Sequence, residues 1–253
     1  MHWMKIDIAT SFGRWTVAAL VFCVFNCHAD PVCTSLAEKA TQAPVREDYD
    51  VSACKALPDE PGKSILVLRD KVLIVDSSDG HILSEGKLPG VRHIWRSAAI
   101  DTAAYWLAPH VRAFAIRQSM DSHSYDTSES DDVLTLYVVH GSAIDVLIES
   151  LVVRAVISSN GCDDGGESPR TTCHLDMDET RRTLAIANTS HQGYADIHVY
   201  EAARACTDGV RGKTSCRNFD SAKFGAAKWK AQLLFNGSRY AVPDDLQNGV
   251  LLQ

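Results

Sequence analysis

Short apolar runs separated by turn residues constrain the fold of this chain more than any other feature. Runs such as Ser64–Arg69 and Lys71–Asp76 are rich in β-branched residues and too short for the helices of a globular domain. Gly, Pro, Asn, Asp or Ser bounds nearly all of them, as expected for turns between strands. We therefore predict an all-β fold, an antiparallel sandwich or barrel-like domain of about ten short strands. The predicted strands are Ser64–Arg69, Lys71–Asp76, His81–Ser84, Asp101–Leu107, Val111–Ser119, Val133–His140, Ala143–Glu149, Leu151–Ser158, Thr180–Asn188, Tyr194–Tyr200 and two arms of a C-terminal hairpin.

One of these runs, Val133–Val139, is apolar at nearly every position. A strand with one solvated face alternates between apolar and polar residues, whereas a strand buried on both faces does not. The pattern predicts that this strand lies at the centre of a sheet.

The C-terminal hairpin is predicted in more detail because Asn236-Gly237 is a strong signal for a two-residue type I′ turn. Such a turn would place Phe235 opposite Ser238 and Leu233 opposite Tyr240. The strand alternation then predicts one shared face, formed by Trp229, Ala231, Leu233, Phe235, Tyr240 and Val242.

The N-terminus has the pattern of a secretory signal. Its apolar run, Trp15–Phe25, is about half the length of a membrane-spanning helix, and Cys27-His28-Ala29 resembles a signal peptidase site. We expect a signal peptide over residues 1–29, a periplasmic or secreted product, and no membrane span after cleavage. A lipid anchor on Cys27 or Cys23 is the alternative interpretation.

The rest of the chain divides by composition into two parts. Residues 30–63 are polar and are predicted to form an N-terminal extension with a short helix over Ser35–Thr41. Residues 64–253 contain the predicted strands and are of a size that one β domain accommodates.

Six cysteines remain after the predicted signal peptide. An even number in an exported chain indicates disulfides, and the short spacings favour local pairing as Cys33–Cys54, Cys162–Cys173 and Cys206–Cys216. A metal site would instead require closely spaced cysteines or interleaved histidines, which this sequence lacks. The predicted extension would thus be pinned by Cys33–Cys54.

The charge and the motifs exclude more functions than they support. The formal net charge of −7 argues against a nucleic-acid partner, which needs a basic surface. The sequence has no Gly-x-Ser-x-Gly elbow for a hydrolase, so we expect no catalytic residues. We predict no resident cofactor, with calcium as the alternative at three acidic segments, of which two carry Asp131, Asp132, Asp163, Asp164 and Glu167 and the third is Asp176–Glu179. None of the three segments matches the EF-hand pattern.

A third candidate binding region lies on the strand Tyr194–Tyr200. Strand alternation places Tyr194, His198 and Tyr200 on one polar, aromatic face together with Asp196. This face is predicted to be a contact surface.

Together these features predict an exported, non-enzymatic protein that binds another protein, of inhibitor or immunity type. Long polar loops, predicted over residues 119–132 and 160–174, would form the binding surface, and disulfides would reduce the entropy lost on docking. The alternatives are a calcium-dependent or glycan-binding module and a secreted hydrolase. The sequence does not indicate an oligomeric state.

Overall fold

The fold is taken from a computed structural model of the chain. It describes residues 31–44, 51–89, 95–124, 126–163, 172–208, 216, 219 and 222–247. The predicted signal peptide lies outside these residues.

Eleven strands and two helices make up the described part of the chain. The helices are α1 (Pro31–Thr41) and α2 (Asp244–Gln247). The strands are β1 (Val51–Ala56), β2 (Lys63–Leu68), β3 (Lys71–Asp76), β4 (Ile82–Lys87), β5 (Trp95–Ala108), β6 (Val111–His123), β7 (Thr127–His140), β8 (Ala143–Asp163), β9 (Thr172–His191), β10 (Tyr194–Thr207) and β11 (Lys228–Leu233).

All eleven strands belong to one sheet, which confirms the predicted all-β class. Its main path runs β1-β2-β3-β4-β8-β7-β6-β5, and β9, β10 and β11 continue from the second half of β8. The pairs are antiparallel except for a parallel bridge between Glu85 and Ala143, which joins β4 to β8. β8 and β9 span 21 and 20 residues, so these strands are much longer than predicted.

The central strands β6 and β7 are buried on both faces. On one face, Phe114, Ile116 and Tyr137 pack in a cluster with side chains of β2 and β3. On the other, Leu134 and Leu136 pack in a cluster with side chains of β10 and β11. The prediction of a central strand over residues 133–139 is therefore confirmed.

The N-terminal segment packs on the outer face of β2 and β3. Leu36 and Ala37 of α1 are buried in a cluster with residues of these two strands. The helix predicted over Ser35–Thr41 is present and begins at Pro31, where proline fits the first turn of a helix. The strand β1, which pairs with β2, was not predicted.

Two of the three predicted disulfides are confirmed. Cys33 is bonded to Cys54, and Cys206 is bonded to Cys216. Cys162 and Cys173 are backbone register partners in the β8–β9 ladder, and their side chains lie outside the described residues.

The prediction of a loop over residues 119–132 is wrong. β6 and β7 continue through it in unbroken register, from Ser119 opposite Asp132 to His123 opposite Ser128. The backbone groups of β7 are paired on both sides by β6 and β8, so polar side chains do not end the strand. Asp131 and Asp132 thus lie in a strand.

The predicted C-terminal turn is also wrong in register. Phe235 pairs with Tyr240, so four residues form the loop instead of two. The side-chain oxygen of Asn236 accepts hydrogen bonds from the backbone amides of Ser238 and Arg239, which stabilises the wider loop. Of the residues predicted to share one face, Leu233, Phe235 and Tyr240 are buried, whereas Trp229 is 60% exposed.

Neither helix in the described part of the chain has the length and apolar character needed to cross a membrane.

Candidate binding surface

A groove of about 440 Å³ opens where two proline-containing turns meet the end of β7. In each turn the residue after proline has a positive φ, 62° for Asp59 and 68° for His110. The left-handed conformation costs a residue that has a side chain roughly 1 kcal/mol or more. We infer that the strands flanking each turn impose this conformation. We call this feature the Trp106 groove. Its polar and aromatic lining residues are Asp59, Glu60, Trp106, His110, Arg112, Phe114 and His140.

Trp106 is the most exposed aromatic side chain of the groove. It is 45% exposed, whereas its neighbours Tyr105 and Leu107 point into the core. The guanidinium of Arg112 lies 5.6 Å from the centre of its indole ring. Arg112 also forms an ion pair with Asp59 and donates from Nη2 to the Thr102 carbonyl at 2.9 Å. These contacts hold Arg112 in one orientation beside the tryptophan.

His140, at the end of β7, joins the groove to the β9–β10 hairpin. Its Nδ1 is 2.7 Å from Oδ2 of Asp145, and its Nε2 is 3.0 Å from the Tyr194 hydroxyl. Because a carboxylate only accepts, Nδ1 of His140 donates to Asp145. The Tyr194 ring stacks on Phe235 with 4.5 Å between centroids. Burial and then the charge of Asp145 raise the pKa of Tyr194, which keeps its hydroxyl protonated.

A second aspartate–histidine pair lies in the β9–β10 hairpin. Nδ1 of His191 is 2.6 Å from Oδ1 of Asp196, whose side chain is fully buried. The hydroxyl of Thr189 and the amide of Gln232 donate to the other carboxylate oxygen. Burial alone would raise the pKa of Asp196, but these three donors outweigh it and hold the pKa below its ordinary value.

A third polar centre is the Arg–Glu179 cluster, which consists of Glu179, Arg154, Arg181 and Arg204. The Glu179 side chain is fully buried, and all three arginines donate to it through Nε at 2.6 to 2.8 Å. Burial alone would raise the pKa of Glu179, but the arginine hydrogen bonds hold it below its ordinary value. The carboxyl group is therefore ionised in the folded protein.

The acidic residues predicted to bind do not form one described centre. Asp131 is buried in β7, and Asp132 accepts a 2.6 Å hydrogen bond from Ser119. Asp163 ends β8, and its side chain lies outside the described residues, as do Asp164 and Glu167. Asp131 pairs with Ala155 of β8. Asp163 lies eight positions further along the same strand, which places its backbone about 27 Å from that of Ala155.

Of the three residues predicted to form an aromatic face on β10, only His198 and Tyr200 contact each other. His198 and Tyr200 are half-buried and make an edge-on contact with 6.3 Å between ring centroids. Tyr194 instead stacks on Phe235 and bonds to His140, next to the Trp106 groove. Asp196, assigned to the same face, is completely buried.

Two other arrangements bear on the alternative functions. The Ser128 hydroxyl is 2.7 Å from Nδ1 of His123, and both side chains are exposed. Within the same residues, no three histidine, cysteine, aspartate or glutamate side chains come together in a way that could hold a metal ion.

Sequence reasoning missed the Trp106 groove, both aspartate–histidine pairs and the Arg–Glu179 cluster. Two local signals were available. In each aspartate–histidine pair the two residues are five positions apart across a hairpin turn, His140 with Asp145 and His191 with Asp196. Glu179 and Arg181 are two apart in a strand and so share one face. The other two arginines of the cluster, Arg154 and Arg204, lie on the neighbouring strands β8 and β10 but are each 25 positions from Glu179 in sequence.

Comparison with known proteins gives no match: no protein-family model fits the chain, and neither curated proteins nor solved structures are significantly similar to it. Function must therefore be inferred from the residues themselves.

Proposed function

We propose that this protein is exported and binds another protein, in the manner of an inhibitor or immunity protein, through the Trp106 groove. The observation that carries this proposal is the exposed indole of Trp106 beside a fixed guanidinium, that of Arg112. Tryptophan and arginine are the residue types most enriched among those that dominate protein–protein binding energy.

The groove is also preorganised. Arg112 is held by Asp59 and by a backbone carbonyl, and the two turns at the rim have conformations imposed by the strands they join. A surface that is already ordered loses less conformational entropy when it docks.

The surroundings of the groove suit a protein partner. His140 and Asp145 are about half exposed and hydrogen-bonded to each other, and Tyr194 extends the same chain of contacts. A polar rim around an aromatic centre is the usual arrangement of protein interfaces. Asp59 and Glu60 are both engaged in ion pairs, with Arg112 and Lys63, which leaves them less available to bind sugar hydroxyls.

Export is supported by the cysteines. Disulfides such as Cys33–Cys54 and Cys206–Cys216 form and persist in oxidising compartments and are rare in the cytosol. Together with the predicted signal peptide, they support a periplasmic or secreted location.

The test is affinity capture with the exported protein as bait in extracts of the periplasm and the medium. We expect Trp106→Ala to lower recovery of the partner at least about tenfold. The matched control is Trp229→Ala, because Trp229 is also exposed but lies on β11. Reduction of the disulfides before capture should also weaken binding.

Two outcomes would contradict the proposal. One is that the wild-type protein enriches no partner over the Trp106→Ala variant. The other is that Trp229→Ala lowers recovery as much as Trp106→Ala does. Circular dichroism of each variant checks that the fold is retained.

A further inference from the structure

The Arg–Glu179 cluster holds more positive charge than its buried carboxylate requires. Arg204 alone contacts Oε2 of Glu179 through two nitrogens, with Nε at 2.6 Å. The Arg204 side chain is only 6% exposed, and its remaining terminal nitrogen donates to the carbonyls of Phe219 and Ala222. Arg204 therefore neutralises Glu179 and fastens the segment that follows Cys216 to the sheet.

The other two arginines lie on the solvent side of this centre. Arg154 and Arg181 are register partners in β8 and β9, and their Nε atoms converge on the same oxygen of Glu179 at 2.7 and 2.8 Å. Their side chains are 34% and 49% exposed. Two guanidinium groups are thus held side by side at the surface.

The charges around them are not balanced. Three guanidinium groups face the carboxylate of Glu179, and Asp132 is 4.0 Å from Arg154, at the limit of an ion pair. The excess is one positive charge in a chain whose net charge is −7. Within the described part of the chain, neither Arg154 nor Arg181 makes a hydrogen bond through its terminal nitrogens.

The orientation of Arg181 is fixed before any ligand arrives. The ring of Phe224 lies 4.5 Å from the guanidinium of Arg181 and 4.6 Å from that of Arg204. Stacking on one face and the Nε bond to Glu179 fix the plane of this guanidinium, and its terminal nitrogens make no hydrogen bond within the described part of the chain. Such a fork binds oxyanions through paired hydrogen bonds.

We propose that Arg154 and Arg181 form a binding site for a phosphate or sulfate group. A tetrahedral oxyanion presents enough oxygens to accept from both guanidinium groups at once, and its charge offsets the local excess. Binding would also relieve the repulsion between the two neighbouring cations. The site does not depend on the Trp106 groove or on the proposed protein partner.

Isothermal titration calorimetry with inorganic phosphate, and separately with sulfate, tests this site at constant ionic strength set with sodium chloride. We expect saturable binding to the wild-type protein and at least about tenfold weaker binding to Arg181→Gln. Arg181→Lys keeps the positive charge but lacks the paired nitrogens of a guanidinium. Its affinity for the anion should therefore fall between those of the wild-type protein and Arg181→Gln. The tighter of the two anions identifies the preferred group.

Arg117→Gln is the matched control. Arg117 is 45% exposed and bonds to a single carboxylate, that of Asp101, through two nitrogens. Its substitution should leave anion affinity unchanged. The proposal would be overturned by absence of saturable binding, by equal weakening in Arg117→Gln, or by acetate binding as tightly as phosphate. Melting curves of each variant confirm that the protein is folded.

Discussion

The β9–β10 pair holds two buried carboxylates that the protein accommodates in different ways. Glu179 and Asp196 both have fully buried side chains, both receive hydrogen bonds from three side chains, and both have pKa values held below the ordinary range. The donors to Glu179 are three guanidinium groups. The donors to Asp196 are a hydroxyl, an imidazole and an amide.

The difference shows that burying a carboxylate does not by itself require arginine. Hydrogen bonds from a hydroxyl, an amide and an imidazole satisfy Asp196 without an arginine or lysine at the carboxylate. Glu179 is surrounded by three cations, of which Arg204 is buried with it and two face the solvent. The excess of positive charge makes the Arg–Glu179 cluster a candidate ligand site. The Asp196 centre has no such excess, and we assign it a structural role.

Removal of the charge of Glu179 should have the largest effect on stability. Glu179→Gln leaves Arg204 buried without its counter-ion, and we expect the free energy of unfolding to fall by about 3–5 kcal/mol. Urea unfolding measures this change. A loss below about 1 kcal/mol would show that solvent already reaches the cluster.

Removal of the charge of Asp196 should lower the free energy of unfolding by less than removal of the charge of Glu179. Asp196→Asn keeps the shape but turns an amide donor toward groups that also donate, and we expect a loss of about 1–3 kcal/mol in the free energy of unfolding. The loss is smaller because none of its partners is a buried cation. If this variant lost as much stability as Glu179→Gln, the distinction between the two centres would fail.

Acid should destabilise the wild-type protein through both groups. Their folded-state pKa values are lower than the ordinary 4.5 of glutamate and 3.8 of aspartate. The stabilisation is therefore complete above those ordinary values and is lost as pH falls through the lower folded-state values. Unfolding free energies measured between about pH 6 and pH 3 should decline, and the decline should be shallower in Glu179→Gln. An equal slope in the variant would contradict the assignment to Glu179.

The smallest effect is expected at the exposed aspartate–histidine pair. Asp145→Asn breaks the contact with His140, but both side chains are about half exposed, so the loss of stability should stay within about 1 kcal/mol. Comparison with Asp196→Asn contrasts an exposed carboxylate that has one side-chain partner with a buried one that has three, in pairs with the same spacing across a turn. A larger loss in Asp145→Asn than in Asp196→Asn would reverse the expected order.

Local patterns predicted the parts of the fold that local chemistry determines. Apolar residues on both faces identified the central strand over 133–139, and the short spacing of the two cysteines identified Cys206–Cys216. Polarity was misleading over residues 119–132, because neighbouring strands pair the backbone whatever the side chains are. Likewise, a side-chain bond from Asn236 favoured a wider loop than Asn-Gly alone predicts.

The candidate sites could not be predicted because they depend on register. β5 has register shifts between Asp101 and Tyr105 and between Trp106 and Ala108, and these decide which aromatic side chain of the strand faces solvent. The arginines around Glu179 come from β8, β9 and β10, and only Arg181 is its neighbour in sequence.

Hydrogen–deuterium exchange of the protein with and without its captured partner tests the proposed function most directly. The Trp106 groove predicts that the partner slows exchange at the β1–β2 turn, the adjoining ends of β5 and β6, and the end of β7. Protection centred on β11 around Trp229, or no change at the two proline turns, would contradict binding at the groove.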